Sequence, residues 1–295
     1  MSSPRAPIAV AVLAHNEERR IACCLESLPL GRDDVAIHVV VNGSTDGTAR
    51  IAREIAARAG NVVVHDYKEG GKSRSWNRFV FDTLPSFHDV HVFVDGDAEL
   101  TPGSVDALAR CLARNQGANA ASGLPCNGRR VDFYRAEVER THGMFGDLYA
   151  LRGSFLAAMK QAGVRLPDDL IGDDGLIGAM AKTNLGPESG WDDSRIVTCH
   201  DAGFLCEPVS PWSVRALRMQ WSRMVNYSVR HFQNQMISPI MREQGPSGLP
   251  RLMRSLYPAL LPGLRPRRSP QLWWFDRAAL QRMRTQKPVT PEAGR

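Results

Sequence analysis

Asp95, Gly96 and Asp97 follow directly on the apolar run Val92, Phe93, Val94, so two carboxylates project from the end of what reads as a buried strand. Open α/β sheets hold their ligands at that edge. Paired acids there suit a hard divalent cation, Mg²⁺ or Mn²⁺, which prefers carboxylate oxygen and brings substrate phosphates with it. The competing reading is an acidic turn that leads into the helix begun by Thr101 and Pro102. A second acidic pair, Asp173 and Asp174, opens an apolar helical segment, where acids also suit the positive end of the helix dipole.

The elements that must position these groups alternate. Residues 8–14 (IAVAVLA) read as a buried strand broken by His15, Asn16 and Glu17, and Glu18–Leu28 as a helix. Ile37–Val41 is a second strand, stopped by Asn42, Gly43, Ser44, Thr45 and Asp46; Thr45 or Asp46 can cap the helix that follows, to about Arg58. Val62–His65 is a third strand, and Gly70, Gly71 and Lys72 lead into a helix carrying Trp76 and Phe79. The strand ending at Asp95 is the fourth. This alternation predicts an α/β protein with a mainly parallel sheet and helices on both faces. Polar residues from four segments then meet at one edge. Farther on, a strand near Ala120–Leu124, a helix over Arg130–Arg140, short strands within 187–209 and an amphipathic helix from Trp212 to about Gln233 are expected.

Composition narrows the function. The 295 residues carry a net charge of +6, with 43% hydrophobic and 23% charged residues, ordinary for a globular protein. No apolar run approaches the ~20 residues of a membrane span, and the first residues lack a signal-peptide core, so the expected location is cytoplasmic. The six cysteines form no CxxC pair and read as reduced thiols. GxGxxG is absent after the first strand and GxxxxGK[ST] is absent throughout, which argues against nicotinamide and P-loop chemistry. From Arg242 onward eleven basic residues face three acids, so the basic excess belongs to the tail and suggests an anionic partner. The segment LWWFDRAALQRMR can face an anionic membrane or dock its aromatics onto the domain. It lacks the aromatic and helix-turn-helix context of nucleic-acid binding.

The ordered set AHNEE, VNGSTDGT, GGKSRSWN, DGD and GDDGLIG, spread over roughly residues 7–235, resembles the family-2 glycosyltransferases of the GT-A fold. The resemblance implies a GT-A domain over 1–235, with a nucleotide-binding half (1–116) and an acceptor-binding half (117–235), and a basic extension, helical or membrane-associating, over 236–295. It implies transfer of one sugar, with inversion, from a UDP- or GDP-sugar to a glycan or lipid-linked acceptor, with Mn²⁺ or Mg²⁺. Asp97 and Asp95 match the DXD motif; the last acid holds the metal in that family, and the first lies nearer the ribose or the metal's water shell. Lys72 matches a basic position near the diphosphate. His15, Asn16, Glu17, Asn42, Ser44, Asp46 and Gly96 fall in the loops that surround the nucleotide sugar, with Asn42 standing where an acid is commoner, which leaves the base open. Asp174 matches the general base, with Asp173 orienting a neighbour or capping the helix. His200 falls where some members add a metal ligand. Gln220 and Arg223 resemble part of the QxxRW motif, but Met224 replaces its Trp, which favours single addition; Trp212 and Trp221 are candidates for stacking on an acceptor sugar, though both fit helix packing better. A nucleotidyltransferase would want a Gly-rich basic first loop, which AHNEERR does not supply. A non-catalytic scaffold would not need all three of Asp95, Asp97 and Asp174.

Overall fold

Alternate side chains of a strand face opposite ways, so a strand buried on both sides must be apolar at every position. Strand β1 (Ile8–Ala14) is buried along its whole length. Ile8, Val10, Val12 and Ala14 enter one core layer, and Ala11 and Leu13 the other. The structure is a computed structural model that describes residues 7–206 and 214–286, with backbone alone for 214–217.

The chain continues through α1 (Ile21–Glu26), β2 (Val35–Asn42), α2 (Thr48–Ala56), β3 (Val62–Tyr67) and α3 (Lys72–Asn77), which runs on as a π-helical turn, Arg78–Thr83. Then come β4 (Val90–Asp95), the short β5 (Glu99–Leu100), α4 (Ser104–Arg114), β6 (Ala120–Pro125), α5 (Val131–Thr141), β7 (Leu148–Arg152) and α6 (Gly153–Gln161). The last elements are α7 (Asp173–Thr183), β8 (Ile196–Leu205), α8 (Val214–Glu243), α9 (Tyr257–Leu260) and α10 (Pro270–Thr285). The eight strands form one sheet in the order β3-β2-β1-β4-β7-β6-β8-β5.

The first four strands are parallel, as the alternation predicts. Beyond β4 the sheet becomes mixed: β7 runs antiparallel to both β4 and β6, and β5 antiparallel to β8. Helix α8 also runs past Gln233 to Glu243, through Pro239, so residues 235 and 236 lie inside one continuous helix. Its buried Val225, Val229, Phe232 and Met236 join Leu280 and Met283 of α10 in the core layer that also holds Phe93 and Tyr149 of the sheet. The C-terminal helices thus pack on the same core as the strands.

One polar contact clasps this extension. Asp276 on α10 is fully buried and accepts from Arg267 N–H at 2.8 Å, Nε at 2.9 Å and a terminal guanidinium nitrogen at 2.6 Å. Burial works upward on its carboxyl, but these bonds and Ser228 outweigh burial and hold it below the usual range. Asp276→Ala is expected to cost about 2–3 kcal/mol, less than the loss of a fully buried pair because Arg267 is 32% exposed and rehydrates. A carboxylate with a depressed folded pKa contributes stability that is fully present above the unfolded value of about 3.9 and is lost as pH falls through the folded value. Urea unfolding at pH 7 and at pH 3 should therefore show a gap between wild type and Asp276→Asn that is larger at the higher pH and narrows as the pH falls below the unfolded value.

Candidate active site

Parallel strands send their C-termini to one edge, and the loops there carry the polar residues. After β1, His15 Nδ1 donates to the Asn42 carbonyl at 2.6 Å, and its Nε2 accepts from Asn16 Nδ2 at 3.1 Å. Asn16 takes a positive φ of 58°. Its N–H donates to Ser44 Oγ at 3.0 Å, and its Oδ1 accepts from Thr45 N–H at 2.9 Å. The Glu17 N–H donates to Thr48 Oγ1 at 2.8 Å. Asp46 accepts from the N–H groups of Thr48 and Glu18, so its carboxylate caps the start of α2 and ties the two loops together. Asn42 is buried, and its Oδ1 accepts from Ser75 Oγ on α3 at 2.8 Å. Gly43 takes φ +60°, and a Cβ there would fall 2.6 Å from Gly70 N, so only glycine lets this loop meet the one before Lys72. A Cβ on Gly96 would fall 2.7 Å from Ala14 Cβ, which presses the turn after β4 onto β1.

The acids gather beside these loops. Single carboxylate oxygens of Asp95, Asp97 and Asp147 lie within 4.8 Å of one another. Asp147 immediately precedes β7, and its carbonyl accepts from Asp95 N–H at 3.2 Å; the antiparallel pairing of β7 with β4 delivers it. Burial pushes the Asp95 carboxyl up to about 8 against the pull of Lys72, with Asp147 adding repulsion. Burial also raises Asp147, again against Lys72, with Asp97 repelling it. Three hard oxygen donors that repel one another at this range fit a divalent cation, which would remove the cost of holding them charged together.

Lys72 links this cluster to the second acidic pair. Its Nζ lies 2.6 Å from Asp95 Oδ1 and 3.8 Å from Asp173 Oδ2. Burial disfavours the ammonium, but Asp173 and Asp95 outweigh it and hold Lys72 well above its usual value. Behind it Tyr149 is buried and accepts from Trp76 Nε1 at 3.1 Å, with Phe93 stacked on its ring. Asp173 is buried and pushed upward by burial, opposed by Lys72 and reinforced by Asp174. Asp174 is more open, with a side chain 19% exposed, and Arg230 of α8 reaches it at 3.2 Å. Gly172 precedes the pair with φ +92°, and a Cβ there would strike the Arg230 side chain. A Cβ on Gly146, next to Asp147, would lie 3.3 Å from Asp174 Cβ. The two acidic groups therefore stand side by side, joined through Lys72.

Some candidates from the sequence stand elsewhere. His200 is not in the acidic cluster: its side chain is 64% exposed and lies 3.6 Å from Glu139. The ladder between β6 and β8 shifts register between Ser122 and Leu124, and His200 and Asp201 on the facing part of β8 both turn outward. Gln220 and Arg223 are exposed on α8, about three and two turns before the arginine that touches Asp174. Trp212 lies outside the described residues. The sequence reading missed Asp147, Arg230 and Cys206, whose thiol donates to Asp147 Oδ1 at 3.5 Å. A cavity of about 750 Å³ lies apart from these acids, lined by Arg74, Arg78, Arg165 and Arg251 with Glu69, Asp82 and Asp168 among others.

Comparison with known proteins bears on this edge of the sheet. Among curated proteins, the 4,4'-diaponeurosporenoate glycosyltransferase of Staphylococcus haemolyticus is 31% identical over 110 residues, 37% of this chain and 29% of that protein. Protein RfbJ of Shigella flexneri is 29% identical over 109 residues, 37% of this chain and 78% of its own length. The chain thus spans less than a third of the first relative. The mannosyltransferase PcManGT from Pyrobaculum calidifontis, solved with GDP-Man and Mn²⁺, superposes with a TM-score of 0.62 over 97% of this chain and 77% of its own, at 21% identity. S. aureus TarS 1–349 with UDP gives 0.51 over 76% of this chain and 64% of that one, at 18% identity. At these identities the structural likeness speaks for the fold alone. The sequence profile described as Glycosyl transferase family 2 matches residues 9–163, from β1 past α6, a stretch that holds Lys72, Asp95, Asp97 and Asp147 and makes up more than half of the chain. On that match, this chain belongs to glycosyl transferase family 2.

Proposed function

We propose that the chain transfers a single sugar from a UDP- or GDP-sugar to a hydroxyl of a glycan or lipid-linked acceptor, with inversion and with Mn²⁺ or Mg²⁺. The observation that carries this reading is the grouping of three carboxylates, Asp95, Asp97 and Asp147, with Lys72 standing between them and Asp173. GDP-Man with Mn²⁺ in the Pyrobaculum enzyme and UDP in TarS support the donor class.

Asp95, Asp97 and Asp147 would hold the cation, which would offset the charge on the leaving diphosphate. Lys72 supplies a fixed positive charge on the same side. His15, Asn16, Glu17, Asn42, Ser44, Asp46 and Gly96 shape the nucleoside side of the site. Asp174, the more open of its pair, accepts the acceptor hydroxyl's proton. Arg230 fixes the orientation of that carboxylate, and buried Asp173 holds Lys72 from behind. In this division the loops after β1 to β4 serve the donor, and the segment from β6 to the middle of α8 serves the acceptor. Among the described residues no helix is long and apolar enough to cross a membrane, and the basic C-terminal helices are proposed to meet an anionic membrane face peripherally.

Incubating the full chain with a panel of UDP- and GDP-sugars, in Mn²⁺, Mg²⁺ or EDTA, tests the reading. Release of nucleoside diphosphate from one donor, lost in EDTA, is expected. Nucleotide binding without turnover of any donor, with or without acceptor extracts, would favour a scaffold instead.

A further inference from the structure

Two adjoining cavities lie among the C-terminal helices, and neither includes a residue of the acidic site. The first, about 410 Å³, is lined by Arg254, Tyr257, Leu261, Met283 and Arg284 among others. The second, about 650 Å³, is lined by Leu264, Arg265, Trp273, Arg277, Leu280 and Arg284 among others. Pro262 and Arg284 belong to both. Each has the size of an ordinary ligand pocket, about 300–1,000 Å³.

Among the described residues no carboxylate lines either cavity. Residues 244–286 hold eight arginines and one acid, Asp276, and that acid is buried against Arg267. Arg254 Nε is buried with no hydrogen-bond partner among the described residues. Arg277 lies over the Trp273 ring, 4.7 Å from its centroid, and among the described residues Arg265 donates to carbonyls of its own turn, those of Pro262 and Leu264. The first cavity adds apolar wall from Pro258, Leu261 and Met283, and the second from Leu264 and Leu280, beside the amides of Gln286 and Gln281. Trp274 of α10 is 64% exposed and Leu260 of α9 is 40% exposed.

A small anion would use the arginines and leave the apolar walls idle, and a neutral hydrocarbon would do the reverse. An amphiphile with a phosphate head uses both. We propose that these cavities seat one acidic phospholipid of a membrane surface, with its phosphate on Arg265, Arg277 and Arg284 and one acyl chain along Tyr257, Leu261 and Met283. Trp274 and Leu260 then dip into the headgroup layer, where amphipathic aromatics settle. The site deepens the membrane-facing part of the proposed function and does not depend on the sugar chemistry. Helix α10 packs on α8, and α8 carries Arg230 to Asp174, so the lipid seat and the acidic site are tied to the same helix pair. A hydroxyl carried by a lipid in that surface is the acceptor class this arrangement suits.

The test uses the full chain, sedimented with vesicles of phosphatidylcholine alone or mixed in equal parts with phosphatidylglycerol. Binding to the mixed vesicles only is expected. Arg277→Gln with Arg284→Gln should lower that partitioning by about fivefold per arginine, hence about 25-fold, while nucleotide release in solution stays unchanged. Monomeric dihexanoyl phosphatidylglycerol should bind the wild-type chain, and inorganic phosphate should not displace it. Equal binding to both vesicles, or unchanged partitioning of the folded double variant, overturns the proposal. Displacement by inorganic phosphate overturns it too and assigns the cavities to a free anion. Lipid binding by a chain that turns over no sugar nucleotide would uphold the lipid site and defeat the transferase reading alone.

Discussion

Asp97→Asn is expected to lower the release of nucleoside diphosphate by about 10²–10³-fold at saturating donor. The carboxylate oxygens of Asp95, Asp97 and Asp147 lie within 4.8 Å of one another, so each supplies a third of the negative charge that a cation would meet. An amide has nearly the same shape and no charge. Metal ions supply several kcal/mol of charge stabilisation to a transition state, and each ~1.4 kcal/mol is a factor of ten in rate. Losing one of three anionic donors forfeits a large part of that. Lys72 keeps its 2.6 Å contact with Asp95 in the variant, so the fold should survive. Titration calorimetry with Mn²⁺ should show weaker cation binding in the same variant, and excess cation should restore part of the rate. Full turnover by Asp97→Asn in EDTA would remove the cation from the scheme altogether.

Asp174→Asn should lower transfer to acceptor by about 10²–10⁴-fold, the usual contribution of a general base, while donor affinity stays unchanged. The asparagine oxygen can still accept from Arg230, so the variant separates proton transfer from geometry. Acceptor-independent hydrolysis of the donor should fall much less than transfer, because water needs no oriented partner on that side. Asp173→Asn is the informative contrast. Asp173 is buried with Lys72 and Tyr149 at its back, so its loss should weaken donor binding through Lys72 and spare the proton transfer. Should the two variants exchange these phenotypes, the base is Asp173.

The half of the molecule built from β1 to β4 was legible because β1, β2 and β4 are apolar at nearly every position and end at His, Asn or Asp, while β3 is mixed and runs on through His65 and Asp66 to Tyr67. Loops at the ends of parallel strands follow from topology alone, so His15, Asn42, Lys72 and Asp95 could be placed on one edge from the sequence. Asp147 could not. It stands alone before a five-residue strand, and only the reversed direction of that strand carries it back to Asp95. An isolated acid ahead of the alternating run LYALR was the sole local sign. Arg230 was hidden for a similar reason: a long helix offers several arginines, and which one meets Asp174 depends on how α8 lies over the sheet. His200 shows the converse, a residue in a plausible register that a shift in the β6–β8 ladder turns outward. In α10 the aromatics were expected to act together, yet Phe275 packs inward while Trp274 faces out.

The origin of Asp147 has a bearing on modularity. A fragment ending before β6 would contain every motif of the donor loops and yet keep only two of the three carboxylates. Recombining this protein with a relative at that seam would split the three carboxylates between two parents. Any graft meant to change the sugar must therefore carry β4 and β7 as one inherited block.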